Sequence, residues 1–340
     1  MLAVETRDLT KDYLTGFWRK RPRRALDRLN LKVEASETFG LLGPNGAGKS
    51  TTLKLLFRLI FPTSGTARIL GRDLSDLSVH ARLGYLPENP SFYDHLSAPE
   101  FLAFAGELFG LDRSTVGRRS EELLERVGLA EARRLPVRKF SKGMVQRLGI
   151  AQALMNDPDL VFLDEPMSGL DPIGRREVRN LILDLRREGK TIFFSTHILS
   201  DAEALCDRVA ILNRGQLLGS GDLRELLRLD VSATEVVLAD PPLDALEKLR
   251  PLARSVARAG SQVRMEFGGE HDPEFVLKTA QQSGARIVSF NPVKSSLEDY
   301  FMAQVGAPSS EVNNARLSKT DESSLRGLCS PKGRYKNSRG

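Results

Sequence analysis

Gly43-Pro44-Asn45-Gly46-Ala47-Gly48-Lys49-Ser50, followed at once by Thr51, decides how this chain is read. The run fits G-x-x-x-x-G-K-[ST], a loop whose backbone N–H groups close around phosphate oxygens. Its flanks supply the context that such chemistry needs. Residues 38–42 before it read as a short buried strand, and residues 52–60 after it read as a helix. Glycines let the backbone approach an anion closely, and the helix start adds the positive end of its dipole. On this reading Lys49 reaches the β- and γ-phosphates and the Ser50 hydroxyl takes a place on Mg2+. The bland alternative is a glycine-rich turn with a chance lysine, and the strand and helix around it speak against that. The stretch predicts a binder of nucleoside triphosphates.

At 340 residues the chain has room for two domains, or for one large domain with appendages. Apolar residues make up 41%, ample for a packed core. The formal charge of +6 sits largely in two local clusters, so it does not by itself argue for nucleic acid. Cys206 and Cys329 lie far apart with no C-x-x-C pattern, which fits a reducing compartment and no disulfide scaffold. The start Met1-Leu2-Ala3-Val4-Glu5 lacks the charged and apolar regions of a secretory signal. No run of about 18 apolar residues occurs, so no segment is expected to span a bilayer. The expectation is a soluble, cytoplasmic chain; if it serves a membrane process, other chains supply the membrane part.

Residues 2–9 and 26–33 read as strands. Between them Gly16-Phe17-Trp18-Arg19-Lys20-Arg21-Pro22-Arg23-Arg24 reads as a basic loop. It is either solvated or, since Trp and Phe beside arginines suit an interface, a contact with a membrane surface or a partner. Residues 66–70 and 83–86 read as short strands. Ser97-Ala98-Pro99-Glu100 has the capping-box pattern and opens a helix to about Leu108. A second helix covers roughly 114–127, with Leu123, Leu124 and Val127 on one face, and a third starts at Ser141. Residues 95–157 therefore read as a helical insertion. After it come a buried strand at 160–163, a helix at 174–188 and another buried strand at 191–195. Strands alternating with helices predict a largely parallel sheet covered on both faces.

Past residue 222 the pattern changes, with strands at 234–239, 253–259, 262–267 and 285–291 and helices at 242–250 and 273–284. That β-α-β-β-α-β order is ferredoxin-like. A last helix is expected at 295–303, and the Ser-, Gly-, Asn-, Lys- and Arg-rich stretch 306–340 reads as disordered.

Asp164 ends the apolar strand 160–163 and Glu165 follows it. An acidic pair at the carboxyl end of a parallel strand sits where such sheets bind ligands. Asp164 would hold Mg2+, and Glu165 would polarise the attacking water. Taken alone, the pair reads equally well as a helix N-cap.

Further pieces make residues 2–225 resemble the nucleotide-binding subunits of ABC transporters. Phe140-Ser141-Lys142-Gly143-Met144-Val145-Gln146-Arg147 resembles the family's signature motif, usually written LSGGQ. Ser141 and Gly143 keep a hydroxyl and a bare backbone at a helix start. Ser168-Gly169-Leu170-Asp171 resembles the D-loop, and His197 resembles the switch histidine that senses the γ-phosphate. Tyr13 stands where the family places an aromatic that stacks on adenine. Singly, His197 reads as a structural histidine and Tyr13 as ordinary packing. Where the family usually has glutamine, Gly84-Tyr85-Leu86-Pro87-Glu88 offers Glu88, which still presents an oxygen to Mg2+.

The resemblance and the element pattern together give an α/β fold: a P-loop NTPase core with a mixed, largely parallel sheet and an inserted helical subdomain, as the resemblance implies, and a small α+β ferredoxin-like C-terminal appendage, as the pattern past residue 222 implies. Together they imply domains at 1–225 and 230–303, followed by the tail 306–340. The resemblance implies ATP and Mg2+ as cofactors, Glu165 and His197 as catalytic groups, and a nucleotide held by Tyr13, residues 43–51, Ser141, Gly143 and Asp171. Ser50, Glu88 and Asp164 would ligate the metal. In the family the signature faces the phosphate loop of a second copy. The implied partners are therefore a homodimer or paired ATPase subunit across the ATP sites, and transmembrane permease subunits on separate chains. The chain would lie on the cytoplasmic face of the membrane, with no nucleic acid. Ser295-Ser296-Leu297-Glu298-Asp299-Tyr300-Phe301 resembles the Ser-Leu-Glu-Asp-x-Phe close of exporter ATPases. Two other classes compete. A soluble ABC-type ATPase acting on ribosomes or DNA is favoured only by the basic tail, and a small-molecule kinase has no use for the signature motif.

Overall fold

The computed structural model describes residues 1–16, 20–223, 225, 231–269 and 271–294. The expected helix at 295–303, the tail 306–340 and residues 17–19 of the basic stretch lie outside them.

A long ribbon opens the chain. β1 (Leu2–Thr15) and β2 (Arg21–Leu29) pair antiparallel out to Thr15↔Arg21. Residues 21–24, expected in a loop, therefore belong to a strand: Arg24 grips the Asp12 carboxylate across the ribbon at 2.9 Å, and ladder pairing overrides the solvated composition. The strand expected at 26–33 is broken as well. β2 ends at Leu29, and β3 (Lys32–Glu34) pairs with β1 after a turn in which the Asn30 amide donates to the Arg28 carbonyl. β5 (Ser64–Ile69) and the short β6 (Arg72–Asp73) complete this antiparallel sheet.

The central sheet is built from β4 (Thr38–Leu42), β7 (Leu83–Leu86), β8 (Leu160–Asp164), β9 (Thr191–Thr196), β10 (Arg208–Asn213) and β11 (Gln216–Asp222), in the order β11-β10-β4-β9-β8-β7. Every pair is parallel except β10–β11, a hairpin turned through Arg214 and Gly215, both at positive φ. The expected mixed, largely parallel sheet is thus present. Every residue of β4, β8 and β9 is buried, and their middles read as apolar runs with polar residues at the ends.

Side chains on one strand alternate between the two faces and feed two separate cores. Phe39, Leu41, Leu160, Phe162 and Phe193 point to the side of α1 (Lys49–Leu56) and the antiparallel sheet. Leu42, Val161, Leu163, Ile192 and Phe194 point to the side of α2 (Ala98–Leu108), α3 (Arg113–Arg126), α4 (Lys142–Ala153), α5 (Pro172–Arg187) and α6 (Leu199–Leu205). α1 stops short of residue 60 because Arg58 turns left-handed at φ 57. The capping box of α2 is formed, with the Ser97 N–H donating to Glu100 Oε2 at 2.8 Å.

Residues 231–294 carry β12 (Val231–Ala239), α7 (Leu243–Leu249), β13 (Ala253–Ala259), β14 (Gln262–Gly268), α8 (Pro273–Gln282) and β15 (Arg286–Lys294). The sheet order is β13-β14-β12-β15 with all pairs antiparallel, the ferredoxin-like arrangement that the element order predicts. Val236, Leu238, Val263, Met265 and Phe267 pack against Leu249, Val276 and Ala280 of the two helices.

Candidate functional site

The loop between β4 and α1 is shaped by what its glycines exclude. A Cβ on Gly43 would lie 2.2 Å from the Leu212 carbonyl at the end of β10. Gly48, at φ 109, caps α1, and a Cβ there would lie 2.6 Å from the Ala25 carbonyl. Pro44, Asn45 and Gly46 form an exposed lip, while Ala47, Gly48 and Lys49 are buried. α1 starts with no side-chain cap and no acidic residue in its first turn, so its free N–H groups suit an anion. Thr51 stands half-buried in that turn, and Thr52 ties the helix start by donating to the Gly48 carbonyl at 2.9 Å.

Lys49 is 5% exposed, and its ammonium turns back over the loop. It donates to the carbonyls of Gly43 at 2.7 Å and Pro44 at 3.3 Å, and stands 3.2 Å from Glu165 Oε1. The other Glu165 oxygen lies 2.9 Å from His197 Nδ1. Glu165 itself is 6% exposed and held at φ 49, a strained conformation for a residue with a side chain. Its anchor is the backbone N–H, which donates to Ser195 Oγ at 3.0 Å. Ser195 Oγ in turn donates to Asp164 Oδ1 at 2.6 Å, and Ser50 Oγ donates to the same oxygen at 3.1 Å. The β8–β9 register sets Asp164 directly beside Ser195. Three elements therefore meet at one edge: the start of α1 with Lys49 and Ser50, the end of β8 with Asp164 and Glu165, and the end of β9 with Ser195 and His197.

Ser195 was readable from sequence only as part of an apolar strand. The signal that could have found it is a hydroxyl replacing an apolar residue at a buried strand end.

The remaining expected residues lie elsewhere in the monomer. Ser141 is exposed and caps α4, its Oγ accepting from the Met144 N–H at 3.3 Å. Gly143 is close to nothing but Leu170 and Ser141, so a Cβ there would make only ordinary contacts at 3.9 Å and beyond. Lys142 reaches across the following loop, where a Cβ on Gly169 would collide with its Nζ. Asp171 caps α5, its Oδ1 accepting from the Gly174 N–H at 2.8 Å. Glu88 is exposed past β7, and Tyr13 is 37% exposed on β1 with Lys11 Nζ 5.3 Å from its ring centre. No hydrogen bond or ion pair described here joins these residues to the Lys49–Asp164 group.

Ser50 and Asp164 offer hard oxygen donors, which fits Mg2+. Among the described residues no cluster of three or more His, Cys, Asp or Glu forms a metal site, so such an ion would take its other ligands from phosphate and water. No helix among the described residues is long and apolar enough to cross a membrane.

A phosphate-type loop at the carboxyl edge of a parallel sheet, facing an acidic strand end, defines a P-loop nucleotide-binding α/β protein. Known proteins narrow the class. Residues 26–168 match the ABC transporter family. The chain is 47% identical over 307 residues to the ABC transporter ATP-binding protein sll0415 of Synechocystis sp., covering 89% of this chain and 84% of the relative. It is 35% identical to the bacitracin transport ATP-binding protein BcrA of Enterococcus faecalis, covering 89% of this chain and 96% of that one. It is 34% identical to the Nod factor export ATP-binding protein I of Cupriavidus metallidurans, covering 83% and 92%. Among solved structures, the dimeric post-hydrolysis state of the ATP-binding cassette MJ0796, bound to ADP and Pi, superposes with a TM-score of 0.59 at 27% identity, covering 65% of this chain and 99% of that one. The chain belongs to the ABC transporter ATP-binding proteins. It is an ATP-binding ATPase of that family.

Proposed function

We propose that this chain is the ATP-hydrolysing subunit of a membrane exporter whose transmembrane segments lie on separate permease chains, and that it works as a head-to-tail dimer on the cytoplasmic face of the membrane. The observation that carries the chemistry is the single Glu165 carboxylate held between Lys49 and His197, one residue past Asp164. In this reading residues 43–51 wrap the phosphates of ATP, and Lys49 exchanges the Gly43 and Pro44 carbonyls for phosphate oxygens. Ser50, Asp164 and Glu88 would hold Mg2+, which would supply positive charge against the developing charge on the phosphates. Glu165 orients the attacking water, His197 reports on the γ-phosphate, and Tyr13 stacks on adenine.

Two features support the dimer. Ser141 is exposed at a helix start, and nothing within the monomer requires Gly143 to lack a side chain. Both requirements make sense if Ser141, Gly143 and Asp171 complete the ATP site of a second copy. The bacitracin-transport and Nod-factor-export relatives support the transporter and export readings. We take residues 1–225 as the ATP-binding domain and the sheet of β12 to β15 as an accessory domain.

The test is a pull-down of tagged Glu165→Gln chain from native membranes with ATP, paired with size-exclusion chromatography. A near-equal amount of a polytopic membrane protein, and a dimer that accumulates with ATP, are expected. Ribosomes or DNA-bound complexes in its place would transfer the chain to the soluble class, and a mutant hydrolysing at wild-type rate would remove Glu165 from its role.

A further inference from the structure

Tyr85 lies in β7 directly beside Phe162 of β8. The two rings share one face of the sheet, because both pack on Phe57: the Tyr85 ring stacks on it at 5.0 Å and Phe162 meets its edge at 6.3 Å. His80 stacks on Phe57 in turn at 5.1 Å, so the Tyr85 ring is backed by a layered column. Two residues beyond Phe162, strand alternation brings Asp164 to that same face, where Ser50 of α1 reaches it.

The ring is accounted for by packing, but the hydroxyl is not. Tyr85 Oη is fully buried and has no hydrogen-bond partner in the protein. Buried hydroxyls are paired as a rule, and phenylalanine would serve the stack equally well. On the same face of the neighbouring strand, Asp164 receives both of its protein donors, Ser50 and Ser195, on Oδ1, which leaves Oδ2 open to other partners. Burial pushes the Tyr85 phenol up to about 12, and the Asp164 carboxylate adds to the rise.

We propose that Tyr85 is a positioning residue for the metal, its Oη donating a hydrogen bond into the oxygen shell that Asp164 and Ser50 offer to Mg2+. This rests on the assignment of Asp164 as the magnesium ligand. Tyr85 touches neither the phosphates nor the attacking water; it acts through the carboxylate and its shell, as outer partners of metal ligands do.

The test is Tyr85→Phe, which keeps the stack and deletes only the hydroxyl. Affinity for a fluorescent ATP analogue is titrated with Mg2+ and again in excess EDTA, beside a thermal melt of the nucleotide-free chain. The expected result is unchanged affinity in EDTA, a loss of roughly tenfold in the Mg2+-dependent tightening, and a melting temperature equal to or above that of wild type. An unchanged Mg2+-dependent tightening overturns the proposal, and so does an equal loss with and without the metal, which would mark Tyr85 as a packing residue. If the wild-type chain itself shows no tightening by Mg2+, the assignment of Asp164 fails and takes this inference with it. Wild-type tightening with a normal Tyr85→Phe response overturns only the role of Tyr85.

Discussion

Replacing Ser195 by alanine removes one oxygen that serves two partners, and its consequences can be worked from the structure. The Glu165 N–H loses its acceptor at 3.0 Å, and Asp164 loses a donor at 2.6 Å, in a place where Ser195 is wholly buried. An orphaned buried N–H costs about 1–3 kcal/mol, and a hydrogen bond to a charged group contributes about 1.5–3 kcal/mol. The two share one atom and do not add fully, so a loss of about 2–4 kcal/mol is expected. For a domain of about 150–250 residues each kcal/mol lowers the melting temperature by about 2–4 °C, which gives a drop on the order of 5–15 °C if the domain that holds the site melts as one unit. Activity should fall further than stability implies. Glu165 sits at φ 49, and its N–H anchor is one of the bonds that hold that strained turn. With the anchor gone the carboxylate loses its position, and kcat should drop roughly 10- to 100-fold. ATP affinity, if Lys49 and the loop hold the nucleotide as proposed, should change by no more than about a few-fold. The assays are a thermal melt and steady-state ATP hydrolysis. A variant that melts and turns over like wild type would refute the claim that Ser195 braces the acidic pair.

Lys49→Ala should abolish tight ATP binding in a direct titration and leave the Glu165 carboxylate buried beside His197 alone, with a lowered melting temperature; undiminished ATP affinity would remove the loop from its assigned role. Gly143→Ala should leave the monomer's melting temperature unchanged or slightly raised, since a Cβ there meets only ordinary contacts and alanine favours a helix, while the ATP-dependent dimer is lost on size-exclusion chromatography. Persistence of that dimer at wild-type yield would contradict the head-to-tail arrangement.

The parts of the fold that were legible in sequence are those whose signal is local. Residues 43–50 carry their own turn chemistry, and β8 announces itself by the unbroken apolar run Leu160-Val161-Phe162-Leu163. Ser97 and Glu100 mark the start of α2 within four residues. What stayed hidden depends on pairing between distant segments. β11 carries no clear strand signal, since Gln216-Leu217-Leu218-Gly219-Ser220-Gly221 holds two glycines, yet it pairs with β10 across a two-residue turn. Residues 21–24 look solvated until β1 supplies the ladder and the Asp12 carboxylate. The meeting of Ser195 with Asp164 follows from a register between strands 31 positions apart, and no local pattern encodes a register. The candidate site was therefore visible as a set of motifs, whereas the oxygen that joins them was not.

The Lys142 ammonium lies against Gly169, so the start of α4 touches the loop that follows the acidic pair. The signature end of α4 and the residues after the acidic pair are in steric register, with the Ser168 N–H held on the Glu165 carbonyl at 3.0 Å. From Gly169 only three residues, Pro166, Met167 and Ser168, separate the contact from Glu165. The surface that would feel a neighbouring molecule and the carboxylate that would act on water thus lie within one side chain and a short loop of each other in a single chain.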